Sequence, residues 1–444
     1  MRLSGQTPAP LQAYPHRPRY KTSGSTTNLM EIYKLGAKRV MFSEQLFDLI
    51  LNFGDEWKVE RVYANFKTEE VDVFLEFTGK EAEDPDTFEL CPIYDHAPSR
   101  RWRHLDTMQY KTYINCGVPR IKTPSGKVKT IKVPWADGYE RHTYLFERLA
   151  IDVLLSTKNQ TKTAELMRCG FNVINRIIHN SVERGLKGRP DDHCFEYLSI
   201  DEKSFKKGHK YVTVLSDPLS GVVVDVSENR DYLSCSQVLS RAIKPGHRDK
   251  VKTVSMDMWK SFMNATKDLL PNAQVVHDRF HLVKYLNDAV DKVRRREVRQ
   301  NEELKNTKYI FLKNPENQTE KQRMKFESIA AANYEVSRAW RVKENFRDIF
   351  GCESLEEASS LVLQWISNAV QTKINEITKV VDTFKNHLRG IINAMVNTFT
   401  NAMAERLNGK IQEVKACGRG YRRFENFRSA ILFFHGGLYL YPLN

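Results

Sequence analysis

The chain has 444 residues, and 69 Lys and Arg against 55 Asp and Glu leave it a net charge of +14. A hydrophobic fraction of 41% is enough to bury cores, which excludes wholesale disorder, and no apolar run reaches the length of a membrane span. No basic-then-apolar leader opens the chain, so a soluble, cytoplasmic, basic protein is expected, long enough for about three domains of roughly 150 residues each.

Residues 1–40, rich in Pro, Ser, Thr and Gly and without apolar period, predict a flexible arm. The spacing from Phe42 to Asn52 suits a short helix. Val59 to Phe77 reads as two strands, because Val71, Val73, Leu75 and Phe77 alternate with Asp72, Phe74 and Glu76. The acidic stretch from Glu81 to Asp86 predicts a loop.

Between Ser99 and Val133 stand nine Lys and Arg against the single acid Asp106, with Trp102, Tyr110 and Tyr113 interleaved and Trp135 just beyond. Cations neutralise phosphates and release counterions, so Arg100, Arg101, Arg103, Lys122, Lys127 and Lys129 are candidates to grip a nucleic-acid backbone. A solvated charged face is the plainer account of such a run. Two further basic stretches, Lys292 to Arg299 and Arg419 to Arg428 with Arg422 and Arg423, favour nucleic acid as the partner.

Tyr144 to Leu155 predicts a helix. Thr161–Arg168, Cys169-Gly170 and Phe171–Arg184 then read as helix, tight turn, helix, with Val173, Ile174, Ile177 and Ile178 as the apolar stripe of the second. That leaves Asn172, Asn175, Arg176 and His179 to face outward, residue types able to reach base edges or phosphates. An ordinary helical hairpin has the same pattern.

A strand from Cys194 to Asp201 ends in an acid. Tyr211–Ser216 and Val222–Val226 form a hairpin around Asp217-Pro-Leu-Ser-Gly221, and a fourth strand, Lys250–Met256, leads into Asp257. A helix over Trp259–Leu270, a strand over Ala273–Val276 and a long helix from Phe280 complete a mixed α/β sheet. Trp259 reads as a core residue more readily than as a platform for an unpaired base. Residues 297–395 are helical and highly charged, with Trp340 and Trp365 as core anchors. Helices over Asn397–Val414 and Phe424–Phe434 follow.

Two strand-end acids on neighbouring strands would repel by about 4 kcal/mol at about 4 Å and an effective dielectric near 20, and a bound cation reverses that sign. Hard oxygen donors without a His/Cys set point to Mg²⁺ or Mn²⁺. Glu405 is the best third acid, since Asn401, Glu405, Asn408 and Gln412 share one helical face, although a solvated face with Glu405 paired to Lys410 or Arg406 is the plainer account of that pattern. The seven cysteines are scattered and form no C-x-x-C pair, so neither a disulfide framework nor an intact zinc ribbon is expected.

Several motifs stand in order along the chain: Trp102-Arg-His-Leu-Asp-Thr107 with Val133-Pro-Trp-Ala136, Ile200-Asp-Glu-Lys-Ser-Phe205, Ser255-Met-Asp-Met258 and Pro271-Asn-Ala-Gln-Val-Val-His-Asp-Arg-Phe-His-Leu-Val283. Asn401, Glu405 and Asn408 with Gly420-Tyr-Arg-Arg-Phe-Glu-Asn-Phe427 complete the set. Together they resemble transposases of bacterial insertion sequences, the ISL-three family.

The resemblance implies an RNase H-like core of the DDE type, with Asp201, Asp257 and Glu405 as catalytic, metal-binding acids and an all-helical insertion between the last two. It also implies metal-dependent cleavage at the element's terminal inverted repeats and strand transfer into target DNA, by a homo-oligomer on double-stranded DNA. By the same likeness, Asp278-Arg-Phe-His281 is a D-x-x-H signature beside the core, and His281 is a candidate to contact DNA or steady the fifth strand.

Where the family carries two C-P-x-C zinc knuckles, this chain reads Cys91-Pro-Ile-Tyr94 and Thr123-Pro-Ser-Gly126, a degenerate zinc-ribbon-like segment for which no zinc is expected. The implied organisation is an arm (1–40), a β-rich basic DNA-binding region (41–137), a helix-turn-helix (138–190), the first part of the core (191–296), the insertion (297–395) and the returning core helices (396–444). The competing readings are an inactive DNA-binding repressor descended from a transposase, and an RNase H-like nuclease or resolvase.

Overall fold

The computed structural model describes residues 43–206, 210–331, 334–396 and 402–442; the arm expected over 1–40 lies outside them. The chain divides into two units, residues 1–100 with 112–131, and residues 101–111 with 132–444.

The first unit opens with α1 (Ser43–Leu51) and the antiparallel hairpin of β1 (Trp57–Asn65) and β2 (Glu70–Phe77), paired from Trp57 opposite Phe77 to Asn65 opposite Glu70 with a register shift between Val59 and Arg61. Val71, Val73 and Leu75 are buried, as the alternation predicts. The acidic run expected to be a loop instead begins with β3 (Glu81–Glu83), paired with β4 (Leu90–His96). Its one apolar residue, Ala82, lies opposite buried Cys91, and a single apolar position carries no detectable period. After β5 (Arg100–Arg103), which spans the boundary between the units, come β6 (Lys111–Cys116), β7 (Pro119–Lys122) and β8 (Val128–Thr130). β6 lies beside β2, while β3, β4, β7 and β8 form a second sheet in that order.

In the second unit, α2 (Tyr144–Thr157) starts at Thr143, whose hydroxyl accepts from the Phe146 amide. α3 (Gln160–Leu166) starts at Asn159, whose side chain accepts from the Lys162 amide. The turn through Gly170 leads into α4 (Phe171–Lys187), which buries Ile174, Ile177, Ile178 and Val182.

A five-stranded sheet follows. β9 (Tyr197–Lys206), β10 (Lys210–Asp217) and β11 (Val222–Glu228) run antiparallel. The chain then passes through α5 (Tyr232–Ala242) to β12 (Thr253–Met256), and through α6 (Lys260–Leu269) to β13 (Gln274–His277). The strand order is β11-β10-β9-β12-β13, with β12 parallel to both β9 and β13. Alternate side chains of β9 to β11 point to opposite faces. Phe205, Val212, Val214 and Val226 join a core with α2 to α4 and the C-terminal helices, whereas Leu198, Ile200, Leu215 and Val224 join one with α5 and α6.

After α7 (Arg279–Glu297) the chain forms a helical block. It consists of α8 (Lys308–Leu312), α9 (Glu320–Ala331), α10 (Glu335–Arg347), α11 (Leu355–Gln371), α12 (Asn375–Asn386) and α13 (Leu388–Val396), whose core is shared with α7, Met258 and Val276 of β13. Trp365 is buried there and Trp340 packs against the cluster. The basic run on α7 is absorbed locally: Arg294 and Arg295 pair with Asp291, and Arg296 with Glu335 and Glu376. α14 (Ala402–Cys417) and α15 (Phe424–His435) return to the sheet.

Candidate active site and nucleic-acid interface

Parallel registry brings the sequence-predicted acids together. Ile200 on β9 lies opposite Met256 on β12, which lies opposite His277 on β13. The next residue on each strand is an aspartate, so Asp201, Asp257 and Asp278 stand side by side at one edge of the sheet, at a strand spacing of about 4.8 Å. The Asp278 amide extends the ladder by donating to the Met256 carbonyl at 3.0 Å. Asp201 is not the end of its strand, as expected from sequence, because β9 continues to Lys206 in the hairpin with β10; only the parallel pairing stops before it.

Each carboxylate already holds a cationic or proton-donating partner. Lys203 Nζ is 3.0 Å from Asp201 Oδ2, and His281 Nδ1, in the first turn of α7, is 3.3 Å from Asp257 Oδ2. His281 Nε2 lies 3.8 Å from Asp278 Oδ2, so the ring bridges two of the three acids. Asp278 also caps α7, accepting from the Phe280 amide. Burial holds its carboxyl above the ordinary range, and the Asp201 charge pushes the same way.

Oxygen donors on one polar edge suit a hard divalent ion. Among the described residues no three acids or imidazoles close on one point as a ligand set. Glu405 falls on α14, with its side chain outside the described residues, as are those of Asn401 and Asn408.

Beside these acids, Trp259 is 41% exposed rather than in the core, its indole donating to the Arg230 carbonyl at 2.9 Å. The Arg230 guanidinium lies over the Trp259 and Tyr211 rings and pairs with Glu202. Sequence reading missed Arg230, Glu202 and Lys203. The one available signal was that Glu202 and Lys203 directly follow the first acid.

On α4, Asn172 and Arg176 are exposed and Asn175 is half-buried, with Arg176 Nε 3.2 Å from Glu140. His179 does not face outward as expected: its ring nitrogens meet Asn426 and Ser429 of α15, both at 2.9 Å.

The basic segment is mixed. Lys122 and Lys127 are exposed, Arg101 is exposed and Arg100 half-buried. Lys129 and Arg103, both expected to grip phosphates, are engaged with acids of the fold. Lys129 sits between Asp84 and Asp86 at 2.8 and 2.9 Å, and Arg103, 10% exposed, bonds Asp106 and the His104 carbonyl. Trp102 and Trp135 are buried edge to face, with ring centroids 5.6 Å apart, so they pack rather than stack on bases. Arg422 and Arg423 are exposed ahead of α15.

The helix pair and the strand-edge acids fall within the spans of two family models. One, described as a transposase of the DDE type in family ISL3, matches residues 198–431. The other, described as the helix-turn-helix domain of transposase family ISL3, matches residues 131–182. The chain belongs to the ISL3 family of transposases.

Among curated proteins, the transposase is 24% identical over 357 residues to "Transposase for insertion sequence element IS1001" of Bordetella parapertussis, covering 76% of this chain and 84% of that protein. It is 26% identical over 359 residues to "Transposase for insertion sequence element IS1557" of Mycobacterium tuberculosis, covering 74% and 80%. It is thus a DDE transposase, a DNA-cleaving and strand-joining enzyme. No helix among its described residues is long and apolar enough to cross a membrane.

Proposed function

We propose that Asp201, Asp257 and Glu405 form the catalytic set of this transposase on an RNase H-like core, and that the set holds Mg²⁺ (or Mn²⁺). The observation that carries this reading is the parallel registry placing Asp201 and Asp257 at adjacent positions of the sheet edge. The strand order, with three antiparallel strands followed by two parallel to the first, supports the RNase H-like assignment.

A divalent ion bound there would acidify the attacking water or DNA 3′-hydroxyl and balance the charge of the departing 3′ oxygen. Lys203 and His281 hold the two carboxylates in place, and their positive or donor groups offset the mutual repulsion of the acids. His281, being held between Asp257 and Asp278, serves in this reading to orient Asp257, and its exposed edge faces the DNA end.

The N-terminal turns of α4, with Asn172, Asn175 and Arg176, would read major-groove bases of the terminal inverted repeat. Arg100, Arg101, Lys122, Lys127, Arg422 and Arg423 would grip phosphates, and the protein would act as a homo-oligomer on DNA. In this reading the chain is organised as a β-rich basic region over 41–137, a helix-turn-helix over 138–190, core segments over 191–296 and 396–444, and an insertion over 297–395.

In the first unit, the degenerate knuckles present one buried thiol and a hydroxyl turn. The Thr123 hydroxyl accepts from the Lys127 amide at 3.1 Å and lies 2.9 Å from the Ser125 hydroxyl. That donor set does not fit zinc, which takes four thiolate or imidazole ligands in structural sites.

The test is cleavage of a supercoiled plasmid carrying the ends of the element that encodes the chain, with wild type beside Asp257→Asn and Glu405→Gln. Mg²⁺-dependent cuts at those ends, joined products, and loss of both in each variant with DNA binding intact are the expected results. Tight binding to the ends without cutting in either metal would leave a DNA-binding relic, and cutting without joining would leave a nuclease.

A further inference from the structure

A groove of about 580 Å³ lies between the start of α3 and the loop from α14 to α15, lined among others by Lys158, Lys162, Phe171, Arg419, Arg422 and Asn426. Its lining carries four cations against one carboxylate, Glu165, which sets the sign of the occupant. Lys158 pairs with Glu413 at 2.9 Å and Lys162 lies 3.8 Å from Glu165, both at exposed positions where such pairs hold little. The Arg419 and Arg422 side chains are exposed.

The loop that presents the two arginines is fixed rather than loose. The amides of Gly418, Arg419 and Gly420 donate to the carbonyls of Val414, Ala416 and Lys415, closing α14, with Arg419 at φ 50° and Gly420 at φ 86°. A Cβ at Gly418 would lie 2.7 Å from the Tyr421 ring, and that ring packs on Phe427 with centroids 5.2 Å apart.

Two further ties hold the loop from opposite sides. Asn159, which caps α3, also donates from Nδ2 to the Cys417 carbonyl at 3.3 Å. From the end of β9, Lys206 Nζ donates to the Arg422 carbonyl at 2.6 Å, and Lys415 Nζ returns a bond to the Ser204 carbonyl at 2.8 Å. The groove therefore has pre-set cations, and side chains held before binding lose less entropy in making contacts. Its wall continues into the N-terminal half of α4, since Phe171 lines it and Asn426 bonds His179.

We propose that this groove takes the phosphodiester backbone of the same duplex whose bases α4 reads, with Arg419 and Arg422 as the phosphate contacts. The proposal rests on the DNA-reading role given to α4 above. Planar guanidinium groups match phosphate oxygens two at a time, and an open, fixed, cationic groove beside a base-reading helix follows the run of a duplex backbone. The grip shares its anchor with the chemistry: the loop ends the helix that carries Glu405 and is tied to the strand that carries Asp201.

The test is anisotropy of two short labelled duplexes, one with the terminal sequence of the encoding element and one scrambled, titrated with the full chain across a salt series. The variant is Arg419→Asn with Arg422→Gln, asparagine being tolerant of the left-handed backbone at 419. Both duplexes should lose affinity by a similar factor, and the slope of log affinity against log salt should become shallower by about 1.8, for two contacts at ~0.9 each. An unchanged slope and affinity would overturn the proposal.

Should the double variant misfold by circular dichroism, Arg422→Gln alone should shift the slope by ~0.9, and no shift overturns the proposal equally. Asn172→Ala with Asn175→Ala separates the two readings, since it should narrow the preference for the end while leaving the slope as it was. A wild type with no preference for the end defeats the α4 reading itself, and with it the shared duplex.

Discussion

At the scale of single residues, burial without charge compensation sets the acid limit of the fold. His104 is 7% exposed and its Nδ1 meets the Thr143 hydroxyl at 2.9 Å, at the cap of α2. Burial lowers its pKa from 6.5 to about 4, and the neighbouring Arg103 charge pushes the same way. The unfolded chain binds this proton more readily than the folded one, so the neutral ring's full stability is present above 6.5, is lost as pH falls from 6.5 toward 4, and levels off below. A shift of that size is about 3 kcal/mol. We expect His104→Gln to lessen the fall in urea midpoint across that window. His277 and His435, both lowered to about 4 mainly by burial, and His387, lowered mainly by burial, contribute to the slope that survives. An unchanged pH profile in the variant would show that His104 titrates normally in the folded chain.

At the scale of elements, α4 is clasped from two sides. α15 packs along it, and the tail beyond α15 crosses it where Gly185 leaves room. A Cβ there would lie 2.7 Å from Leu438 Cβ and 3.0 Å from the Tyr439 carbonyl, and Arg184 holds the Leu440 carbonyl at 2.6 Å. Gly185→Ala gains about 1 kcal/mol of helix propensity but overpacks this contact by about 1–3 kcal/mol. The net expectation is a lower denaturation midpoint, and a raised one would mean that the tail yields freely.

Most of this helix was legible in the sequence, because the spacing of Ile174, Ile177 and Ile178 is fixed by helical geometry whatever packs on it. His179 was not, since its partners lie some 250 positions away on α15. The same limit explains Lys129 and Arg296, whose neutralising carboxylates come from other elements. Arg103, Arg294 and Arg295 pair instead with Asp106 and Asp291, three or four positions away, where a helix or turn must form before the pair exists. α5 escaped notice because Ser234, Ser236, Gln237 and Ser240 blur its apolar stripe, and β3 because it holds one apolar residue. The candidate site was half legible. Asp201 within β9 and Asp257 just after β12 stood out against apolar runs, but the place of Asp278 beside them follows from strand order, which periodicity does not encode.

At the scale of the whole molecule, the helix-turn-helix is continuous with the catalytic sheet rather than appended to it. Ile174, Ile177, Ile178 and Val182 of α4 share one apolar cluster with Val212, Val214 and Val226 of the sheet and with Phe427, Ala430 and Ile431 of α15. A fragment of residues 132–190 would expose that stripe, and three short helices of this size bury too little surface alone to offset their ordering entropy. We therefore expect the fragment to show weak helicity without a cooperative melt, whereas many DNA-reading helix pairs fold as separate modules. The matching expectation in the full chain is that Ile178→Ala, at a fully buried position, lowers the stability of the sheet as well as of α4, by about 2–5 kcal/mol. Hydrogen exchange reads both at once. Faster exchange confined to α2, α3 and α4 would make the helices an independent module, and faster exchange reaching β10 and β11 would make reading and chemistry one cooperative unit.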